Sequence, residues 1–274
     1  MIGAFTIVFR EVIEAGLIIG IVLGITRGVA GRGSYVAAGI VGGLIGAAIL
    51  AAFAGTISDA FEGRGQEILN ASVLLFAVLM LTWHNAWMAK HGAELAREGK
   101  ALGRSVAEGT RPMTALAVVC GAAVLREGAE VVLILYGIVA GGTSQQELLL
   151  GSALGVAAGA AVSAVTYFGL IAIPMRHVFK VTGVMIVLLA AGMAGQAVVY
   201  LANAGIITGL GPELWDTSGI VAEGSAFGRV LRTLVGYSDR PVLVQAVAYL
   251  ATILMMLAVA RAVRTPPRPV AAKA

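Results

Sequence analysis

Two copies of one charged pattern lie inside stretches of sequence that are otherwise apolar. Each copy reads Arg-Glu-x-x-Glu, the first at residues 10–14 and the second at residues 126–130. Because residues three and four apart share a helix face, the two glutamates of each copy point the same way and the arginine reaches the second glutamate. A charged side chain at the middle of a bilayer costs about 2.5–3.5 kcal/mol. The doubled pattern therefore indicates a buried polar site with a function.

The charges of the two copies favour a metal cation as the ligand of this site. With all groups ionised, four carboxylates outnumber two guanidinium groups, and carboxylate oxygens bind hard and borderline cations. Arginine holds carboxylates in place through bidentate contacts and limits their repulsion. Two structural Arg–Glu pairs are the alternative, but they contribute little stability and leave one glutamate per copy unpaired. The candidate site residues are Glu11, Glu14, Glu127 and Glu130, with Arg10 and Arg126 in support.

The composition is that of a membrane protein. Of 274 residues, 59% are hydrophobic and 12% charged, with a mean hydropathy of +0.93, whereas a soluble domain has about 25% charged residues. The single cysteine, Cys120, excludes an internal disulfide framework. Charged residues interrupt the first 25 residues, so we expect a retained membrane helix there rather than a signal peptide.

Seven apolar stretches are each long enough to cross a bilayer, which takes about 20 helical residues. Their length and their content of Gly and Ala favour helices, and no alternating barrel pattern is visible. We therefore predict an all-α integral membrane protein with seven transmembrane helices. The predicted spans are Ile2–Thr26, Tyr35–Ile57, Ile68–Met88, Met113–Ala140, Leu148–Ile173, Val181–Ala204 and Val242–Ala260.

The basic residues of the connections predict the orientation. Thirteen Lys and Arg residues fall on one side of the seven spans and four on the other, and the richer side is normally cytoplasmic. The N-terminus is then outside, the C-terminus is cytoplasmic, and the location is the plasma membrane, which is the inner membrane in a Gram-negative cell. Eight acidic residues fall on the outer side and would attract cations.

The two charged copies also predict an internal repeat. They are 116 residues apart, with an odd number of spans between them, so the halves would have opposite orientation, as in many transporters. A 3+3 inverted repeat plus a seventh helix results, in a single permease domain, residues 1–274. Its parts are repeat 1 (about 1–90), a solvated cytoplasmic connection with partial helix (about 91–112), repeat 2 (about 113–204), an outer connection (205–240), helix seven (241–260) and a basic tail (261–274).

These motifs resemble those of the oxidase-linked iron permeases, which include the fungal high-affinity iron permease and bacterial ferrous-iron uptake permeases. Further matches are Phe61-Glu62-Gly63 and the segment Leu214-Trp215-Asp216-Thr217-Ser218. The resemblance implies high-affinity iron uptake, with iron as transported substrate and no permanently bound cofactor. It makes the four glutamates the iron ligands and implies an extracytoplasmic redox partner: a multicopper oxidase, a cupredoxin-like or a peroxidase-like protein. The family glycine is kept as Gly128 but is replaced by Val12 in the first copy.

Several further residues are weaker candidates. Glu62, Glu67 and Asp216, in connections predicted to be outside, could form an access path for the ion. His84 could help to release an ion inward, although a packed or interfacial histidine is the interpretation we prefer. A buried thiol is the preferred interpretation of Cys120.

Two other functions stay open at this point. A permease for another divalent cation such as manganese would use the same carboxylates. An intramembrane lipid-phosphate hydrolase would need a Ser- and Arg-rich phosphate loop, which we do not find. No motif for ATP hydrolysis is visible, and the hydropathy argues against nucleic acid as a partner. We therefore expect a transporter rather than an enzyme.

Overall fold

The computed structural model describes residues 1–59, 66–169 and 175–264. Eight helices are present in these residues, and their only other regular pairing is an isolated bridge between Glu213 and Val242. The helices are α1 (Ile2–Ile25), α2 (Arg32–Asp59), α3 (Gln66–Ala107), α4 (Thr114–Ala140), α5 (Gln145–Tyr167), α6 (Met175–Asn203), α7 (Ala226–Val235) and α8 (Leu243–Arg264).

Five of these helices are long and apolar enough to cross a membrane: α2, α3, α5, α6 and α8. The other two long helices, α1 and α4, each carry the three charged residues of one motif. Large apolar side chains cover the outward faces of the helices, as at Ile49, Phe53, Leu149 and Leu254. Contact of such a surface with water would be unfavourable, whereas contact with lipid would not be. The prediction of an all-helical membrane protein is confirmed, while the count of seven spans stays a prediction.

Two helix pairs pack through matching close contacts. A Cβ added to Gly43 on α2 would lie 2.7 Å from the carbonyl oxygen of Gly121 on α4, and one added to Gly155 on α5 would lie 2.8 Å from that of Phe5 on α1. Phe5 and Gly121 are 116 residues apart, as are the two motifs. The pair α2–α4 therefore packs as the pair α5–α1 does, with glycine allowing the backbones to touch.

The valine of the first motif is matched by a glycine across the same interface. A Cβ added to Gly159 on α5 would lie 2.9 Å from the Cβ of Val12, while a Cβ added to Gly128 would lie 2.7 Å from the Cβ of Ala47 on α2. In the first contact the motif supplies the larger residue and the partner helix supplies the glycine. In the second contact the motif supplies the glycine and the partner helix supplies the larger residue. The first copy departs from the family pattern without loss of close packing because its partner helix supplies the glycine.

The contacts of α3 show how the motif helices run. Along α3, His84 lies beside Glu11 and Gly103 lies beside Ile25, so α1 and α3 run in the same direction. His84 also contacts Glu130, and Met88 lies beside Arg126, so α3 and α4 run in opposite directions. The helices α1 and α4 are therefore antiparallel, which lets the two motifs face each other.

The helix α3 extends beyond the third predicted span and includes residues 91–107 of the expected cytoplasmic connection. The helix continues to Ala107 and packs against α1, with Gly103 against Ile25 and with Leu102 and Val106 buried. The charged residues of this segment, among them Glu94, Glu98 and Arg104, are exposed, as expected for a solvated connection with partial helix. One apolar face at helical spacing is enough to hold it on the bundle.

The two ends of the bundle are distinguished by the residues that lie there. At one end, named here the Met1 end, the N-terminal amine lies 3.4 Å from a Glu147 oxygen. There α7 is fixed by Arg232, which donates to the Gly141 carbonyl at 3.1 Å and pairs with Glu223 at 2.6 Å. The opposite end, named the Arg111 end, carries Arg111 and the basic residues Arg27, Lys180 and Arg261.

Candidate metal centre

Both motifs converge on one point inside the bundle. Ligand atoms of Glu11, Glu127, Glu130 and His84 all lie within 4.8 Å of one another. Three of these residues are buried and Glu130 is nearly so, because α1, α3 and α4 pack around them. The structure thus brings together three of the four glutamates predicted as metal ligands and adds a histidine from a third helix.

The histidine joins the motifs of both halves. The Nδ1 atom of His84 contacts Oε2 of Glu130, and its Nε2 atom lies 3.8 Å from Oε2 of Glu11 and 3.8 Å from Oε2 of Glu14. Its side chain is only 3% exposed. Sequence reasoning placed His84 at the inner end of a span, because it ended that span at Met88. The sequence feature that could have indicated a site residue was the position of this histidine within an apolar stretch, one helical turn from Met80.

The fourth predicted ligand, Glu14, lies beside the group of four rather than within it. Its Oε1 atom accepts a hydrogen bond from Nε of Arg10 at 2.8 Å, and its Oε2 atom faces His84. One oxygen is therefore held by the arginine and the other lies at the edge of the cluster.

The two arginines occupy equivalent positions in unlike surroundings. Arg126 donates through Nε to Glu130 at 3.3 Å, as Arg10 does to Glu14. The Arg10 side chain is 5% exposed, however, and that of Arg126 is 33% exposed. The guanidinium of Arg126 lies over the Trp87 ring at 4.0 Å, an attractive cation–π arrangement.

The cluster presents unsatisfied polar atoms to its own centre. Among the described residues, Glu11 Oε2 and Glu127 Oε2 are buried and have no hydrogen-bond partner. A buried polar atom without a partner costs about 1–3 kcal/mol. Three carboxylates and an imidazole that converge in this way can bind a cation, which would satisfy these atoms together.

The site is sealed toward the Met1 end. About one turn away on that side, each contributing helix places a large apolar residue with almost no exposure: Ile7 on α1 at 0%, Leu81 on α3 at 1% and Ile134 on α4 at 1%. These three belong to one apolar cluster with residues of α6 and α8. An ion would have to separate these side chains to pass.

Two cavities reach the site from the Arg111 end. One, of about 540 Å³, extends from Arg126 and Glu127 to Glu98, Ser105 and Arg111. The other, of about 1040 Å³, extends from Arg10, Glu14 and Glu127 to Lys180 and Arg261 and is mainly apolar. Within the described residues, these two cavities approach the cluster from the Arg111 end.

Two of the predicted access residues, Glu67 and Asp216, lie outside the cluster. Asp216 is bound within its own loop by the Ser218 hydroxyl at 2.6 Å and by Arg240 at 3.0 Å. These contacts, that of Ser218 first, lower the pKa of Asp216 below its usual range. One oxygen of Glu67 is buried with no hydrogen-bond partner in the described part of the chain. Glu62 and the Phe61-Glu62-Gly63 match lie outside the described residues.

Two further polar residues, Cys120 and Gln196, have defined contacts in the structure. Cys120 is buried in a separate apolar cluster with Val22 and Leu116, so the prediction of a buried thiol is confirmed. Gln196 accepts a hydrogen bond from Arg232 at the Met1 end.

A helical membrane protein whose buried carboxylate cluster opens to one end of the bundle has the features of a cation permease. The match to known families makes this specific: the chain belongs to the iron permease FTR1 family, whose model matches residues 1–265.

Curated relatives agree with this assignment. The chain is 28% identical over 197 residues to proteins named ferrous iron permease EfeU from Escherichia coli O6:K15:H31 and from Shigella sonnei, covering 70% of each chain. It is 28% identical over 194 residues to the protein of that name from Shigella flexneri, covering 69% of this chain and 80% of the relative. The chain is therefore a member of a family of iron permeases. No solved structure matches it.

Proposed function

We propose that this protein is a high-affinity iron uptake permease that binds its substrate ion at the paired Arg-Glu-x-x-Glu motifs. The observation that carries the proposal is the convergence of Glu11, Glu127 and Glu130, from both motifs, within 4.8 Å. Arg10 and Arg126 hold Glu14 and Glu130 in place and reduce the repulsion between the carboxylates.

Iron uptake by whole cells tests this assignment. Glu11→Gln and Glu130→Gln keep side-chain size but remove a charged ligand, so each should reduce uptake of radioactive iron by about tenfold or more, in the range found when metal-site groups are altered. The matched control is Glu108→Gln, which changes an exposed glutamate beyond the end of α3. Protein levels in the membrane are compared in parallel. Normal uptake by both site variants at normal levels would refute the proposal.

The proposed transport route uses alternating access in an inverted repeat. The antiparallel motif helices and the matching pairs α1–α5 and α4–α2 support this architecture. An ion would arrive past the acidic residues predicted to be outside, with Glu62, Glu67 and Asp216 as access residues. It would pass the seal of Ile7, Leu81 and Ile134 and leave through the cavities at the Arg111 end.

We further assign the protein to the plasma membrane, the inner membrane in a Gram-negative cell, with the Met1 end outside. A redox partner on that side would control the oxidation state of the iron supplied. The support is the family resemblance of the sequence and its acidic outer connections. Co-purification from cross-linked membranes with a multicopper oxidase, cupredoxin-like or peroxidase-like protein would test for the partner.

A further inference from the structure

We propose that His84 is a ligand of the transported ion and the residue that makes the central site prefer iron to manganese and magnesium. The inference rests on the proposed central site, and it adds a residue outside both Arg-Glu-x-x-Glu motifs. The first reason is position: α3 places the imidazole between the motifs, at 3% exposure, with one nitrogen toward each half.

The geometry fits a single ion. Two ligand atoms that bind one ion at about 2.1 Å lie at most about 4.2 Å apart. In the cluster of His84, Glu11, Glu127 and Glu130 every ligand atom is within 4.8 Å of the others. Only a small contraction is therefore needed to bring one nitrogen and three oxygens onto a common centre.

Glu14 lies where a carboxylate would orient the imidazole ring of His84. A histidine that binds a metal through one nitrogen usually donates its other N–H to a carboxylate. Glu14 lies outside the group of four, its Oε2 atom is 3.8 Å from Nε2 of His84, and Arg10 fixes its other oxygen. We therefore assign Nδ1 to the ion and Nε2 to Glu14, which makes Glu14 a positioning residue.

The nitrogen ligand gives the site a preference that carboxylates alone lack. Carboxylate and water ligands suit magnesium, calcium and manganese, whereas imidazole suits iron and the later metals. A cage of oxygens from both motifs would bind manganese nearly as well as ferrous iron. Replacing one oxygen by an imidazole nitrogen shifts the site toward iron.

X-ray absorption of the purified full-length protein in lipid nanodiscs, loaded anaerobically with Fe²⁺, tests the ligand directly. The wild type should show the multiple scattering of a coordinated imidazole, and His84→Asp and His84→Gln should lack it. His91→Gln is the matched control on the same helix, where the ring stacks on Trp87, and should keep it. A wild-type spectrum without imidazole scattering would overturn the proposal even if no variant folds.

Competition between metals tests the preference. Manganese should inhibit iron uptake by the His84→Asp variant at concentrations at least about tenfold lower than for the wild type. If Glu11→Gln abolishes uptake while His84→Asp keeps the wild-type competition profile, the His84 assignment fails and the central site stands. If the glutamate variants transport normally, the central site itself is wrong.

Discussion

At the scale of single residues, the site combines equivalent groups in unequal environments. Both motifs form the same arginine–glutamate pair four residues apart, but Arg10 is enclosed by protein and Arg126 is partly exposed against Trp87. Coulomb interactions are stronger where water is excluded. The first motif therefore depends more on its arginine than the second does.

Comparison of Arg10→Gln with Arg126→Gln tests this difference. Removing one partner of a buried ion pair costs about 3–5 kcal/mol because the remaining charge has no compensation. We expect Arg10→Gln to lower the thermal stability of the detergent-purified protein much more than Arg126→Gln, which leaves Glu130 in contact with His84. Equal losses of stability in the two variants would contradict the interpretation.

At the scale of helices, glycine positions set how closely α2 approaches α4 and α5 approaches α1. On α2, Gly43 touches the backbone of α4, whereas nothing lies within 4 Å of a Cβ added to Gly42. These neighbouring residues share a helix and differ only in the face they occupy. Helix propensity and close packing can therefore be separated at this pair.

We expect Gly42→Ala and Gly43→Ala to change stability in opposite directions. Alanine in place of an exposed helical glycine stabilises by about 1 kcal/mol. At Gly43 the added methyl would lie 2.7 Å from both the Gly121 oxygen and the Val124 Cβ, and such overpacking costs about 1–3 kcal/mol. Thermal unfolding of the two proteins in the same detergent is the measurement. A stabilised Gly43→Ala protein would show that the interface is not tight.

The exchanged glycines predict a compensating pair of substitutions. Gly159→Ala should destabilise the protein because its methyl meets the Val12 side chain. Adding Val12→Gly reproduces the arrangement of the second motif, where Gly128 faces Ala47, and should restore most of the lost stability. A double-mutant cycle measures this coupling. Additive effects would mean that the two contacts are not equivalent.

At the scale of the whole molecule, the cluster is closed toward one end and open toward the other. Ile7, Leu81 and Ile134 form the seal, and two cavities reach Glu127 from the Arg111 end. This is the arrangement of a transporter whose site faces one compartment. The predicted topology makes that compartment the cytoplasm.

Labelling of introduced cysteines tests both topology and access. Cys120→Ala gives a cysteine-free background, since Cys120 is the only cysteine. In intact cells a membrane-impermeant maleimide should label the exposed position of Gln146→Cys, and in inside-out vesicles it should label Ser105→Cys in the smaller cavity. Ile138→Cys, in the buried apolar cluster, should react from neither side. Labelling of Ser105→Cys in intact cells would reverse the predicted orientation.

The sequence by itself determined the membrane class, the helical fold and the doubled charged motif. These follow from local rules: apolar length, helical spacing and the cost of charge in lipid each depend on neighbouring residues. The resemblance carried by the motifs also identified iron before any geometry was known. The third predicted span ended at Met88, whereas α3 continues to Ala107 and packs on α1.

Only the tertiary structure decided which residues share the site. His84 is remote in sequence from both motifs, and its role depends on α3 crossing between antiparallel helices α1 and α4. The displacement of Glu14 to the edge of the cluster, the seal at Ile7, Leu81 and Ile134, and the match of Val12 with Gly159 likewise depend on which helices pack together. Helix spacing fixes what lies on one face, but contacts between helices far apart in the chain fix what that face meets.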